Sequence, residues 1–297
     1  MGLGYQFTDR RCVDYEIWFH GELRHPLRGP RALFDTTARY WSFVGAAQTF
    51  GRFVQHPFPA LVSDCFGMQH VNLGFAGAGP EYFASKPGLL EVINGSSLCF
   101  LQIMSGRSVS TTLLKTIGQG GMLKFMDGPL LGEKMLALDA YKALLQKYGR
   151  AEIAKQIADV KSNWCRSYLE LIGKIRVPTI LVWVSSREKN YDLSCESAEQ
   201  VLGEFPHLIT PAELATIESA DRPLVGRTFA GNINQMLLDY TSRKPVVVFN
   251  KANFEGRPDW SRAFNVYYPT PEMHRSVARD IILFLGANAK FASACPQ

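Results

Sequence analysis

Tyr40-Trp-Ser-Phe-Val-Gly45 is a run of aromatic and β-branched side chains, followed at once by Ala46-Ala-Gln-Thr-Phe-Gly51, a short segment closed by a second glycine. The first half reads as a strand and the second as a tight exit from it, because glycine accepts backbone conformations that side chains forbid. Pro57 and Pro59 then introduce a helix to about Phe66. The same alternation repeats downstream. Gln69–Gly74 (QHVNLG) is a second strand, with a Gly-rich turn at 77–80 and a helix carrying Tyr82, Phe83, Leu89, Leu90 and Val92. Leu98–Met104 (LCFLQIM) is apolar but for Gln102, continuous enough for a central strand covered on both faces.

Residues 108–176 offer no strand pattern. Two helical patterns fill them, one around Gly132–Tyr148 and one over Ala151–Ile175, where Ile153, Ile157, Val160, Trp164, Leu171 and Ile172 recur at three- and four-residue spacings. Thr179–Val184 (TILVWV) is a fourth strand. A fifth is expected at Pro245–Asn250 (PVVVFN), after a helical stretch Ile233–Tyr240, and a last helix over Glu272–Leu285. Strands alternating with helices predict a three-layer α/β/α domain around a flavodoxin-like, five-stranded parallel sheet, with a helical insertion after the third strand. On this reading 1–297 is one domain, with 1–38 an N-terminal extension in which Tyr15–Phe19 forms an edge strand, and 287–297 a loose tail.

The chain has 297 residues and 46% hydrophobic composition, enough for a large core. Its 32 Lys+Arg against 27 Asp+Glu fall short of the concentrated positive surface of a nucleic-acid binder, while leaving room for an anionic small partner. The six cysteines, at 12, 65, 99, 165, 195 and 295, form no C-x-x-C pair, and most of them read as buried small hydrophobes; no metal and no cofactor are expected. Residues 1–11 lack the apolar stretch of a secretory signal, and no run approaches the ~20 apolar residues of a membrane span, so a cytoplasmic location is expected. Oligomeric state is not readable.

In open parallel sheets, ligands bind beyond the carboxyl ends of the strands. The residues there are Gly45 to Arg52, including Gln48 and Thr49; Asn72 to Gly79, including Gly74 and Gly77; Ser105-Gly-Arg-Ser108; and Ser185-Ser-Arg187. Arg52, Arg107 and Arg187 recur at equivalent strand ends, and guanidinium forks suit carboxylate, phosphate or sulfate. Convergence on one crevice makes them an anion site; pairing with nearby carboxylates makes them structural. The stretch GFAGAGP does not fit a dinucleotide fingerprint in register.

Gly45-Ala-Ala-Gln-Thr-Phe-Gly51 resembles the first block, G-D-S-x-T-x-G, of the SGNH/GDSL hydrolase superfamily, with Ala46 at the acid and Ala47 at the nucleophile position. Gly74 matches that superfamily's oxyanion-hole glycine. Ser105 to Ser108 stands where G-x-N-D belongs, with the Asn absent. Pro271-Glu-Met-His274 resembles the D-x-x-H block, keeping the His and losing the Asp. The chain is also similar to a bacterial family of undescribed function that lacks the nucleophilic serine. The resemblance implies His274 as general base, with Glu272 orienting it only if both precede the helix, since residues two apart on a helix diverge. Without a serine at 47, the hydroxyls left to act are those of Thr49, Ser105 and Ser108; Thr49 also reads as a structural hydroxyl capping the helix that follows. Histidines 20, 25, 56, 70 and 207 belong to no recognisable constellation.

Two functions follow. One is an enzyme acting on an anionic glycan or glycoconjugate, as a transferase or a hydrolase of altered mechanism. The other is an inert binding or accessory protein on the same scaffold. A third reading makes the 108–176 insertion an oligomer contact.

Overall fold

The structure, a computed structural model, describes residues 2–23, 25–31, 39–118, 121–190, 201, 203–229, 234–249 and 259–292. Its centre is a parallel sheet of β1 (Tyr40–Gly45), β2 (Gln69–Gly74), β3 (Leu98–Gln102), β4 (Thr179–Ser185) and β5 (Leu224–Thr228), in the order β5-β4-β3-β1-β2. The described helices that matter are α1 (Gly2–Asp9), α2 (Ala47–Phe50), α3 (Phe58–Cys65), α4 (Pro80–Ala84), α5 (Pro87–Asn94), α6 (Ala137–Lys174), α7 (Pro211–Ile217), α8 (Pro271–Ala287) and α9 (Ala289–Ala292). The fold is the expected three-layer α/β/α arrangement.

Alternation along the strands sets the two faces. Trp41, Phe43, Phe100, Ile180, Val182 and Val184 point to one side and pack on α3 and α8, through Phe58, Val62, Val277, Ile281 and Leu285. Val44, Val71, Leu73, Leu101, Leu181 and Trp183 point to the other, against α4, α5 and α6. Phe43 and Phe100 stack across the β1–β3 pair with centroids 4.4 Å apart. Proline at the first helical positions of α3, α4, α5, α7 and α8 marks their starts, where a missing N–H costs nothing.

Several expectations are corrected. The fifth strand is Leu224–Thr228, paired in parallel with β4, and not Pro245–Asn250, of which Pro245 makes only an isolated bridge to Leu238 and Val247 is exposed. Gly226 sits in β5 at φ +108°, where a Cβ would strike the Trp183 backbone, so this strand cannot carry the unbroken apolar run that pattern reading looks for. Within the stretch expected as a helix, Gln235–Met236 is instead a short strand antiparallel to Phe264–Asn265. Residues 108–176 are not all helical: Leu114–Ile117, Met122–Phe125 and Lys134–Leu136 form an antiparallel meander. The two helical patterns that follow are borne out: α6 is two helical segments divided at Gly149 (φ 81°), between the expected Tyr148 end and Ala151 start. Its apolar face packs on the sheet as expected, and Trp164 Nε1 and Tyr168 Oη donate to the carbonyls of Met104 and Gln102, fixing α6 to the exit of β3.

The opening segment holds α1 and a two-residue strand, Trp18–Phe19, paired with Pro26–Leu27 outside the main sheet. The tail is partly packed, with Phe291 of α9 buried. Of the cysteines, Cys99 is buried as expected and Cys65 is exposed; positions 195 and 295 lie outside the described residues. Among the described residues no helix is long and apolar enough to cross a membrane.

Candidate functional site

The turn after β1 is built around a residue that sequence reading passed over. Gln102, the last residue of β3, presents Oε1 to three donors: the N–H of Ala46 (3.0 Å), the N–H of Thr49 (3.1 Å) and the hydroxyl of Thr49 (2.6 Å). Thr49 is therefore completely buried inside α2, with its proton committed to Gln102, and the residue at the N-cap of α2 is Ala46. A Cβ on Gly45 would collide with the same Gln102 and Thr49 side chains, and one on Gly74 would collide with the Phe50 backbone. The Gly74 N–H donates to Asn72 Oδ1 at 2.9 Å, and Asn72 Nδ2 donates to the Thr49 carbonyl. Both glycines permit close packing of backbone, and the Gly74 donor is already engaged.

The strand-end arginines do not converge. Arg52 turns toward α1, where it bonds Asp9 through Nε (2.8 Å) and Nη2 (3.0 Å) and Tyr268 Oη through Nη1 (3.1 Å), with Tyr5 and Phe53 stacked on its guanidinium. Arg187 is buried and donates to the carbonyls of Glu188, Glu204, Pro206 and Ile209, organising the loop after β4. A fourth arginine, Arg28, unremarked in the sequence, does the same for residues 50–55 through the carbonyls of Phe50, Gly51, Val54 and Gln55; burial lowers it to about 10. Only Arg107, in the single turn Gly106–Ser108 with Ser108, reaches the crevice, its guanidinium 5.8 Å from the Tyr267 ring centroid.

His274 is also elsewhere. It lies in the first turn of α8 with no exposed surface, stacks on Phe58, and its Nδ1 accepts the Phe58 N–H at 3.0 Å. Burial, with Arg28 adding to it, pushes it down to about 3, so the ring is neutral. Glu272, two residues earlier on the same helix, is exposed. Neither residue borders the crevice.

What does gather at the carboxyl edge is a small recess of about 40 Å³, bordered by Ala46, Ala47, Gln48, Gly77, Ala78, Ser105, Arg107, Tyr5, Phe205, Tyr267 and Tyr268. Beside it, and sharing Gln48, Phe205 and Tyr267, lies a cleft of about 480 Å³. Trp260, Phe264, Val266, Pro269 and Met273 supply its apolar wall, and Ser185, Ser186, Glu204 and Asn234 its polar one. Trp260 is 66% exposed at the mouth.

Ser105, at the recess, pairs with a buried residue that carries no sequence signal, His207. Ser105 Oγ lies 2.7 Å from His207 Nδ1, across 102 residues. The main-chain N–H groups of His207 and Arg107 donate to the same oxygen at 3.2 and 3.3 Å. Only the meeting of the β3 exit with the loop before α7 creates this contact. Of the expected site residues, the fold thus brings Gln48, Ser105 and Arg107 together around Ala47, places Gly45, Gly74 and Thr49 in the supporting layer, and sends Arg52, Arg187, His274 and Glu272 away.

Comparison with known proteins adds the following. The family model described as a domain of unknown function (DUF6473) matches residues 3–115. No curated protein matches the chain. Among solved structures, a carbohydrate esterase described as displaying divergent catalytic and non-catalytic binding functions in its active site superposes with a TM-score of 0.39 at 14% identity, over 92% of this chain and 70% of that one. A carbohydrate esterase family 2 enzyme with a carbohydrate binding domain, from Corynascus thermopiles (Myceliophthora fergusii), does so with a TM-score of 0.36 at 9% identity, over 91% of this chain and 69% of the other.

Proposed function

We propose that this chain is an SGNH-like protein that holds a glycan in the cleft beyond the carboxyl edge of its sheet, with position 47 inert as a nucleophile and Arg107 recognising an anionic substituent. The observation that carries the reading is the cleft itself. Its volume, its position at the strand ends, and a wall of Trp260, Phe264 and Tyr267 opposite hydroxyl, amide and carboxylate groups are what a sugar requires, since a pyranose presents one apolar face and a rim of hydroxyls. The anionic preference rests on Arg107 being the strand-end guanidinium that borders the crevice. His274 plays no part in this reading, because its ring is enclosed and its Nδ1 is engaged.

The test is thermal denaturation with a panel of neutral, uronic-acid and sulfated oligosaccharides. A ligand at about one hundred times its Kd stabilises by about 2.7 kcal/mol, a rise on the order of 5 °C for a chain of this size. Uronic or sulfated sugars are expected to give that rise, Trp260→Ala to remove it, and Arg107→Ala to remove the advantage of charged over neutral sugars. No rise with any oligosaccharide refutes glycan binding.

A further inference from the structure

The antiparallel meander of residues 114–136 has one face that takes no part in the core. Its register sets Lys115 opposite Lys124 and Lys124 opposite Lys134, so three ammonium groups form one row across the sheet. Two residues along each strand, Ile117, Met122 and Leu136 are matched in the same way. Side chains two apart share a face, so a cationic row and an apolar row lie side by side. The opposite face is occupied: Leu114, Leu123 and Phe125 are buried in the core, Phe125 stacks on Tyr148 of α6, and Tyr148 Oη donates to the Asp127 carbonyl at 2.9 Å. On the outer face Lys115, Lys134 and Met122 are exposed, Lys124 and Ile117 half-buried, and Leu136 is 56% exposed. Leu131, in the turn between the second and third strands, is 67% exposed.

Stability accounts for neither row. Like charges directly across a sheet repel, and none of the three lysines pairs with a carboxylate among the described residues. The turn carries Asp127 and Glu133, which temper the charge of the row without pairing with it. Lysine on an outer strand guards an edge against pairing with another chain, but Lys124 is on the middle strand, where there is no edge. An apolar row left in water gains nothing. A bilayer surface satisfies both rows at once, since it offers anionic headgroups and, just below them, acyl chains. A soluble polyanion meets the lysines and leaves the apolar row in water, and a second copy of this face brings three more lysines to the first three.

We infer that this face docks the protein on a bilayer that carries anionic phospholipids, with Lys115, Lys124 and Lys134 against the headgroups and Met122, Leu131 and Leu136 seated at the acyl boundary. The face shares no residue with the aromatic cleft or the recess beside it, so the inference stands whether or not the cleft takes a glycan.

The experiment mixes the full chain with vesicles of phosphatidylcholine, alone or with about one-third phosphatidylserine, and reads bound protein by flotation at about 0.1 M salt. Wild type is expected to float with the anionic vesicles and to stay behind with phosphatidylcholine alone. Each lysine near such a surface contributes about fivefold, so Lys115→Gln, Lys124→Gln and Lys134→Gln together are expected to weaken binding on the order of 100-fold. Leu131→Ser with Leu136→Ser is expected to weaken it about tenfold, a loss that a purely electrostatic contact does not show. Both variants change surface positions, and circular dichroism checks that they fold as wild type does. A wild-type chain that fails to float with the anionic vesicles overturns the inference, and that arm needs no variant. Equal flotation with the two kinds of vesicle, or a triple lysine variant that binds as wild type does, overturns the role given to the lysines and the inference with it. Undiminished binding by the leucine variant overturns the bilayer as partner in favour of a soluble polyanion, for which retention on heparin is the readout.

Discussion

His274 makes the protein's acid stability calculable. Its folded pKa is about 3 and its ordinary value 6.5, so the unfolded chain binds this proton first as the pH falls. The sign is that of a depressed base: the stability is fully present above about pH 6.5 and is lost toward the folded value. Going from about pH 7.5 to about pH 5.5, the loss from this one group is RT ln(1 + 10), on the order of 1.4 kcal/mol. His70, held at about 4 by burial and then by Arg28, loses the same amount over that interval, and His207 acts in the same sense. The physical cost is visible at the ring: a protonated Nδ1 no longer accepts the N–H of Phe58, which opens α3 in the core. Urea unfolding of wild type and His274→Asn at the two pH values checks this. The asparagine removes the titration and leaves an acceptor for Phe58, so the variant is expected to start lower but to lose about 1.4 kcal/mol less on acidification. Equal losses in the two proteins would show that His274 is not held neutral by its surroundings.

Other variants test the supporting layer. Gln102→Ala strips three buried donors of their acceptor and is expected to cost on the order of 3 kcal/mol by chemical denaturation; a loss below about 1 kcal/mol contradicts the role given to Oε1. Arg52→Met leaves the buried Asp9 carboxylate without its counter-charge, with only the hydroxyls of Tyr15 and Thr8 still donating to it, costing about 3 kcal/mol, whereas Arg52→Met with Asp9→Leu should recover part of that; a double variant no better than the single one refutes the ion-pair account. Trp260→Ala, at an exposed position, should stay within about 0.5 kcal/mol of wild type while losing its response to oligosaccharide.

The sheet was legible because its strands are recorded locally: β1 to β4 are short apolar runs followed by turn residues. β5 was not, because LVGRT contains the glycine and arginine that its packing and pairing demand, and PVVVFN looks more strand-like while its described residues, Pro245 to Phe249, lie outside the sheet. The crevice was legible as a place, since the end of a parallel strand is a topological fact, but the direction of its side chains was not. Arg52 answers to Asp9, 43 residues away, and Arg187 to carbonyls up to 22 residues on. Such partners are invisible until the chain is folded, and a guanidinium that finds buried acceptors gains more from them than from a solvent-filled crevice. For the same reason His207 carried no signal, its partner being 102 residues distant.

Three positions of the resembling blocks have a structural explanation. The fold needs Gly45, Thr49 and Gly74: side chains at 45 and 74 would collide with Gln102 and Phe50, and Thr49 ties α2 to β3. Ala46 and Ala47 border the recess, with Ala46 also packed in the core and its N–H held by Gln102. The turn therefore depends on positions 45, 49 and 74 and on the main chain at 46. Resemblance at 45, 49 and 74 is thus a statement about backbone and packing, whereas the chemistry open to the recess falls to the polar side chains around it, among them Gln48, Ser105 and Arg107.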